Sequence, residues 1–207
     1  MPIEIKSFAV GYLRTNCYVV TDGKACIIVD PGGGFDKVKQ YLTDNKLSAD
    51  AVLLTHGHFD HILALRDWQK AGAKVYVHEL DEKMLHNEWN LAPEIGLGAL
   101  PDVKPDVILY GDEDLTFGSM NFHVIHTPGH TQGGVCYDLN KEYLFSGDTL
   151  LAGSFGRTDF YGGSLTELVA SFQKIFALEG DRIVYPGHGE STTLLWEKDA
   201  NPINSML

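Results

Sequence analysis

Residues 51–61 read Ala-Val-Leu-Leu-Thr-His-Gly-His-Phe-Asp-His, a short apolar strand running directly into four metal-capable side chains. A solvated surface loop has no reason to carry His56, His58, Asp60 and His61 within six residues. In an extended segment the alternating His56 and His58 point to one side. Asp60 and His61 turn toward a second position on the helix that opens there, so the motif can serve two adjacent cations.

Three further turns repeat the arrangement: Thr127-Pro-Gly-His130-Thr131, Ser146-Gly-Asp148-Thr149 and Tyr185-Pro-Gly-His188-Gly189. Each follows an apolar strand and sets one ligand among small residues, where a rigid sheet presents binding groups. The glycines allow close backbone approach. Together the four segments supply five imidazoles and two carboxylates, a set suited to zinc or iron and too rich in nitrogen for magnesium or calcium. A dinuclear centre is the simplest fit. His56, His58 and His130 would hold one ion, Asp60, His61 and His188 the other, and Asp148 would bridge them beside a hydroxide. Coordination lowers the pKa of water to about 7, so such a centre is hydrolytic at neutral pH.

Composition bounds the rest. The 207 residues are 44% hydrophobic and 21% charged, with 22 Gly and 8 Pro dispersed along the chain, which excludes disorder and predicts one domain over residues 1–207. A formal charge of -12 would repel phosphate backbones and anionic lipid, so neither nucleic acid nor membrane is expected as a partner. Cys17, Cys26 and Cys136 are odd in number and widely spaced, and read as reduced, buried thiols. The start of the chain, MPIEIKSFAV, has no basic segment followed by an apolar run, and no stretch nears the roughly 20 apolar residues of a span. A soluble, cytoplasmic protein is expected.

Periodicity predicts strands over 3–10, 16–21, 25–29, 51–54 and 74–77, then over 107–110, 114–117, 121–127, 134–139, 143–145 and 182–185. Helices are expected over 35–45, 62–71, 80–89, 165–178 and 192–198. This alternation implies two similar β/α layers stacked sheet to sheet, with helices outside. Residues 90–105 lose all period; a loop of that length reads either as one bordering a substrate or as a packed surface connection.

The remaining histidines read as structural. His123 and His126 are three residues apart on one strand and project to opposite faces; His78 and His86 are expected at the surface. Arg157 and Asp159 are expected to pair and fix the loop beside the metals, with Asp30 supporting the metal loop from the end of its own strand.

In order, THGHFDH, TPGHT, SGDTL and PGHGE resemble the metallo-β-lactamase superfamily across essentially the whole chain. The resemblance implies an α/β fold, the αββα four-layer sandwich, and the same seven ligands. An aspartate at Asp148, with TNCYVV, DPGG, GRTDFYGG and TTLLWEKDANP, is similar to short bacterial members of the glyoxalase II branch. It implies a metal-dependent hydrolase of acyl thioesters that takes a small-molecule substrate. Two divalent ions per chain are implied, zinc first and then iron or manganese, and Asp60 would also orient the hydroxide. Full-length glyoxalase II enzymes carry a helical, glutathione-holding domain after the last histidine, where this sequence has residues 189–207; glutathione dependence is therefore expected to be modest. GRTDF also resembles persulfide dioxygenases, which share the fold and use one iron. Lactonase or other ester hydrolysis is a third enzymatic reading, and a non-catalytic metal-binding or scaffolding role is a reading from a different class.

Overall fold

The computed structural model describes residues 2–207. The first half forms strands β1 (Glu4–Val10), β2 (Thr15–Thr21), β3 (Cys26–Val29), β4 (Ala51–Leu53), β5 (Lys74–His78) and β6 (Val107–Leu109), in that spatial order in one sheet. The second half forms β7 (Asp114–Phe117), β8 (Met120–His126), β9 (Val135–Leu139), β10 (Tyr143–Gly147), β13 (Ile183–Pro186) and β14 (Thr192–Thr193), with β13 beside β10. A small hairpin of β11 (Leu150–Leu151) and β12 (Ser154–Phe155) stands apart.

Strands β1 to β3 are antiparallel and β3 to β6 parallel. Parallel neighbours need crossovers. These are α1 (Phe35–Asp44), the pair α2 (Phe59–Ile62) and α3 (Leu65–Lys70), and a 3-10 helix over Glu79–His86. In the second sheet β10 and β13 are parallel, and their crossover includes α4 (Leu165–Phe176); α5 (Leu194–Ala200) follows β14.

Side-chain alternation sorts the core into layers. Tyr18, Val20, Ile27 and Val29 face Phe122, Val124, Tyr137 and Phe145 between the sheets. Their neighbours Cys17, Val19 and Ile28 face Val38, Leu42, Leu65 and Trp68 of the first helix layer. Cys136, Leu144 and Val184 meet Leu168, Phe172 and Ile175 of α4. The result is the expected four-layer αββα sandwich. All three cysteines are free and buried. Among the described residues no helix is long and apolar enough to cross a membrane.

The structure departs from periodicity in four places. The helix expected over 62–71 is broken between α2 and α3, because the Ala64 amide turns aside to donate to the Pro31 carbonyl at 2.9 Å. The helix expected over 80–89 is the shorter 3-10 turn, which stops at Asn87 with φ 67°. There the Asn87 side chain clasps the Leu100 backbone, accepting from its amide at 2.6 Å and donating to its carbonyl at 2.9 Å. The last helix begins at Leu194 with Thr193 as its cap, after two residues that pair with β13. The β11–β12 hairpin is too short to leave a period in the sequence.

Candidate metal centre

Four of the strands end at one edge of the sandwich, and each hands a turn to the same space. His56, His58, Asp60 and His61 follow β4 of the first sheet; His130, Asp148 and His188 follow β8, β10 and β13 of the second. The two sheets therefore complete the site jointly. Donor atoms of His56, His58 and His130 lie within 4.8 Å of one another, as do those of Asp60, His61 and His188. The Asp148 carboxylate stands between the groups, with Oδ2 3.6 Å from His130 Nε2 and 3.5 Å from His188 Nε2, and Oδ1 3.5 Å from His61 Nε2. Those spacings are too long for hydrogen bonds. They are near the roughly 3.4 Å that separates two donors about 2.1 Å from one shared ion.

Imidazole orientation is fixed from behind. Asp30, at the end of β3, accepts from the Thr55 amide at 2.8 Å, from Thr55 Oγ1 at 2.6 Å and from His61 Nδ1 at 2.9 Å. The Thr55 hydroxyl proton is thereby used on Asp30, so Thr55 Oγ1 accepts from His56 Nδ1 at 3.0 Å. His130 Nδ1 donates to the Arg157 carbonyl at 2.7 Å. In each ring the nitrogen behind is held by a fixed partner, and Nε2 is the atom turned on the centre. His58 instead turns Nδ1 toward His130 Nε2 at 3.0 Å.

A third cluster, Asp30 with His56 and His61, also has closely spaced donor atoms. Its carboxylate is already taken by three donors, which makes Asp30 a support for ligands.

Burial and charge pull the imidazoles apart. Burial, reinforced by the neighbouring rings, holds His56 and His58 well below the ordinary histidine range. Burial acts the same way on His61, but Asp60, Asp30 and Asp148 outweigh it and raise that ring to about 10. On His188 burial is outweighed by the bond to Asp60 and the charge of Asp148, and the ring is raised. Burial would raise Asp60; His61, His188 and the Thr15 hydroxyl, which donates to Asp60 Oδ2 at 2.7 Å, hold it below the usual carboxylate range instead.

Whether these residues suit a cation is decided by the atoms left without partners. Nε2 of His56, His58 and His61 and Oδ1 of Asp148 are buried and make no hydrogen bond. Orphaned polar atoms at such density are costly unless something else satisfies them. The His56 and His61 nitrogens and the Asp148 oxygen border one space, with His58 Nδ1 and His130 Nε2 beside them, and such a set is what a divalent transition ion satisfies. The turns are tight as well: a Cβ on Gly187 would collide with the Asp148 carboxylate, so that approach requires glycine.

Arg157 and Asp159 do pair, Nε to Oδ1 at 2.7 Å and Nη2 to Oδ2 at 2.6 Å, but both side chains are exposed. Arg157 supports His130 through its carbonyl rather than its guanidinium, and Asp159 reaches no candidate ligand. His123 and His126 stay outside the site, as expected: His123 accompanies Asp114, and His126 donates to the Gln132 carbonyl.

His78 is a correction. It is buried rather than at the surface, because its ring stacks on His126 at 4.2 Å and its Nδ1 accepts from the Leu80 amide. Burial, with His126 close by, lowers it to about 4.

The long loop after the 3-10 helix begins against the metal loop, where the Asn90 carbonyl accepts from the Phe59 amide at 2.8 Å. Trp89, just before it, stacks on Tyr161 at 3.9 Å, and the next ring along the chain, Phe160, meets the edge of His58 at 5.7 Å.

Sequence reasoning passed over Thr15, Thr55 and Asp81 as site residues. Thr15 and Thr55 at strand ends and Asp81 in the 3-10 helix carry no periodic signal, and only the folded chain places them behind the ligands. Asn16 belongs with them: its side-chain amide donates to the carbonyls of Pro186 and Gly189 at 3.0 and 2.9 Å, clamping the His188 turn.

Comparison with known proteins agrees with this geometry. The family model "Metallo-beta-lactamase superfamily" matches residues 10–188. A probable metallo-hydrolase of Bacillus subtilis is 36% identical, with 93% of each chain covered. The hydroxyacylglutathione hydrolase GloC of Haemophilus influenzae is 33% identical, with 97% of each chain covered. Among solved structures, the BLEG-1 B3 metallo-beta-lactamase superposes with a TM-score of 0.89 at 39% identity, covering 96% of this chain and 98% of that one. TTHA1623, in a di-iron-bound form, gives 0.84 at 34%, covering 95% and 98%. ETHE1 from Myxococcus xanthus gives 0.77 at 26%, covering 96% and 83%. With its fold, its clustered donors and a family model spanning most of its length in agreement, the chain belongs to the metallo-beta-lactamase superfamily.

Proposed function

We propose that the protein is a metal-dependent hydrolase of acyl thioesters, most like hydroxyacylglutathione hydrolase. The observation that carries the reading is Asp148 between two clusters of three donors, at distances that leave room for an ion on either side. His56, His58 and His130 would hold one divalent ion, Asp60, His61 and His188 the other, and Asp148 both; zinc, iron and manganese all suit this donor set. Bound there, the ions would polarise the thioester carbonyl and make water a nucleophile near neutral pH.

The chain's own residues do the rest. Thr15 holds the Asp60 carboxylate in place, and Asp60 stands beside His188 at 3.1 Å, placed to orient the attacking water. Asp30 and the Arg157 carbonyl keep the rings aimed, so little reorganisation is needed as charge develops. No side chain need protonate the leaving group: a thiol of pKa near 8.5 departs as thiolate, whereas an amide nitrogen must be protonated. That difference favours thioesters over β-lactams. Likeness to GloC along nearly the whole chain supports the same choice.

Whereas the di-iron form of TTHA1623 sides with two ions, the GRTDF segment, which resembles persulfide dioxygenases, favours a second reading, persulfide dioxygenase chemistry on one iron. A two-His, one-carboxylate set would then be His56, His130 and Asp148, leaving His58, Asp60, His61 and His188 without an ion at considerable cost. The deciding experiment runs lactoylglutathione hydrolysis beside oxygen uptake on glutathione persulfide, with zinc-loaded and iron-loaded protein. Thioester turnover is expected with either metal. Catalytic oxygen uptake with iron alone, and negligible thioester cleavage, would overturn the proposal. Comparing kcat/KM for lactoylglutathione with that for a thioester of a truncated thiol then reads how far glutathione itself is recognised; a modest loss is expected.

A further inference from the structure

Asp81 belongs to none of the four ligand turns, yet its side chain is 1% exposed and lies directly behind two of them. It sits in the first turn of the 3-10 helix after β5. Its Oδ2 accepts from the Gly57 amide at 3.1 Å and from Thr131 Oγ1 at 2.8 Å; its Oδ1 accepts from the Gly133 amide at 2.7 Å. Gly57 lies between His56 and His58, and Thr131 follows His130. One carboxylate thus fastens together the loops that carry all three members of one cluster, although the two loops come from different sheets. Packing tightens the join: a Cβ on Gly57 would sit 2.5 Å from Met84 Cβ, and one on Gly133 would sit 2.6 Å from the Asp81 amide nitrogen. The loops cannot slide relative to each other without moving the 3-10 helix.

Among the described residues no cationic side chain pairs with Asp81, so its charge is held by three neutral donors beside a cluster built for a cation. A buried carboxylate with no ionic partner is expensive. Asp30, by contrast, lies on the other side of the site paired with His61, which it serves directly while serving His56 through Thr55. We propose that Asp81 is a positioning residue for the His56, His58 and His130 cluster, setting the His58 to His130 spacing and adding a fixed negative charge that favours the ion held there. It touches neither ion nor substrate. The inference rests on the metal-binding reading and not on any choice of substrate.

Cobalt binding tests it. Full-length His188→Ala protein, stripped of metal, isolates the cluster in question, and His130→Ala isolates the other; each is titrated with cobalt against a chelator with and without Asp81→Asn. In the His188→Ala background Asp81→Asn is expected to weaken cobalt binding by about 10- to 100-fold and to change its visible absorption bands. In the His130→Ala background the affinity is expected to stay within about twofold. Unchanged affinity and spectrum in the first background, or equal losses in both, overturn the proposal whatever happens to Tm. Should Asp81→Asn fail to fold, Thr131→Val and Thr131→Ser decide: a loss with valine and recovery with serine support the positioning role, and wild-type binding by both overturns it. A parent protein that takes up no cobalt overturns the metal reading, and this inference with it.

Discussion

A residue in this site is defined as much by what lies behind it as by what it faces. His56, His61 and His130 each spend one ring nitrogen on a fixed acceptor, Thr55, Asp30 and the Arg157 carbonyl respectively. That arrangement fixes each ring's orientation and turns its Nε2 inward before any ion arrives. Asp148 differs: one oxygen has no partner and the other faces two imidazoles from different clusters. Asp148→Ala is therefore expected to weaken both ions and reduce turnover by at least about a hundredfold. Elemental analysis beside an activity assay checks this. Wild-type turnover with full metal content would remove Asp148 from its bridging place.

Elements carry the same logic at the opposite end of the sandwich. The β2–β3 turn holds Asp22, whose Oδ1 accepts from the amides of Lys24 and Ala25, both at 2.9 Å. Its Oδ2 takes the Ser119 amide and hydroxyl at 2.7 and 2.8 Å. A turn of the first sheet is thereby tied to the β7–β8 turn of the second. The Ser119, Ala25 and Lys24 amides hold the carboxyl well below the usual carboxylate range. A lowered folded-state pKa contributes stability that is complete above the unfolded value of about 3.9 and is lost as pH falls through the folded value. Asp22→Asn should lower Tm at pH 7, and its gap from wild type should narrow steadily once pH drops below about 4. A gap equal at pH 7 and pH 3 would show that the charge is immaterial to this tie.

Over the whole molecule, two sheets must stay in register for two half-sites to make one. Tyr137 on β9 crosses between them, its hydroxyl donating to the Leu54 carbonyl at 2.7 Å, one residue before Thr55 and two before His56. Removing that hydroxyl strands a buried acceptor, so Tyr137→Phe is expected to cost about 1 to 3 kcal/mol, read as a fall in denaturant midpoint at constant m-value. Ions shared between sheets should lock the same register. Chelator-treated protein should therefore melt lower than the holoprotein and regain its Tm on taking up two ions per chain. An ion at 100 times its Kd adds about 2.7 kcal/mol. A stoichiometry of one, with His188 free, would leave the second cluster without a role.

Much of this was written in the chain. The seven donors of THGHFDH, TPGHT, SGDT and PGHG are legible because each follows an apolar strand and glycine marks each turn, and local chemistry of that kind survives in sequence. The strands themselves were legible for the same reason, since apolar runs and period-2 alternation mark their spans; their order in the sheets was not. What the sequence left open depends on contacts between distant segments. The break after α2 comes from the Pro31 carbonyl, 33 residues before Ala64 in sequence and beside it in space. His78 is buried by stacking on His126 of the other sheet, and nothing in its own neighbours predicts that. Asp81 and Thr15 look like ordinary polar residues until folding sets them behind Gly57 and Asp60. The sequence by itself determined which atoms could bind an ion. Only the tertiary structure brought those atoms within reach of a shared ion, because that depends on two sheets meeting at a common edge.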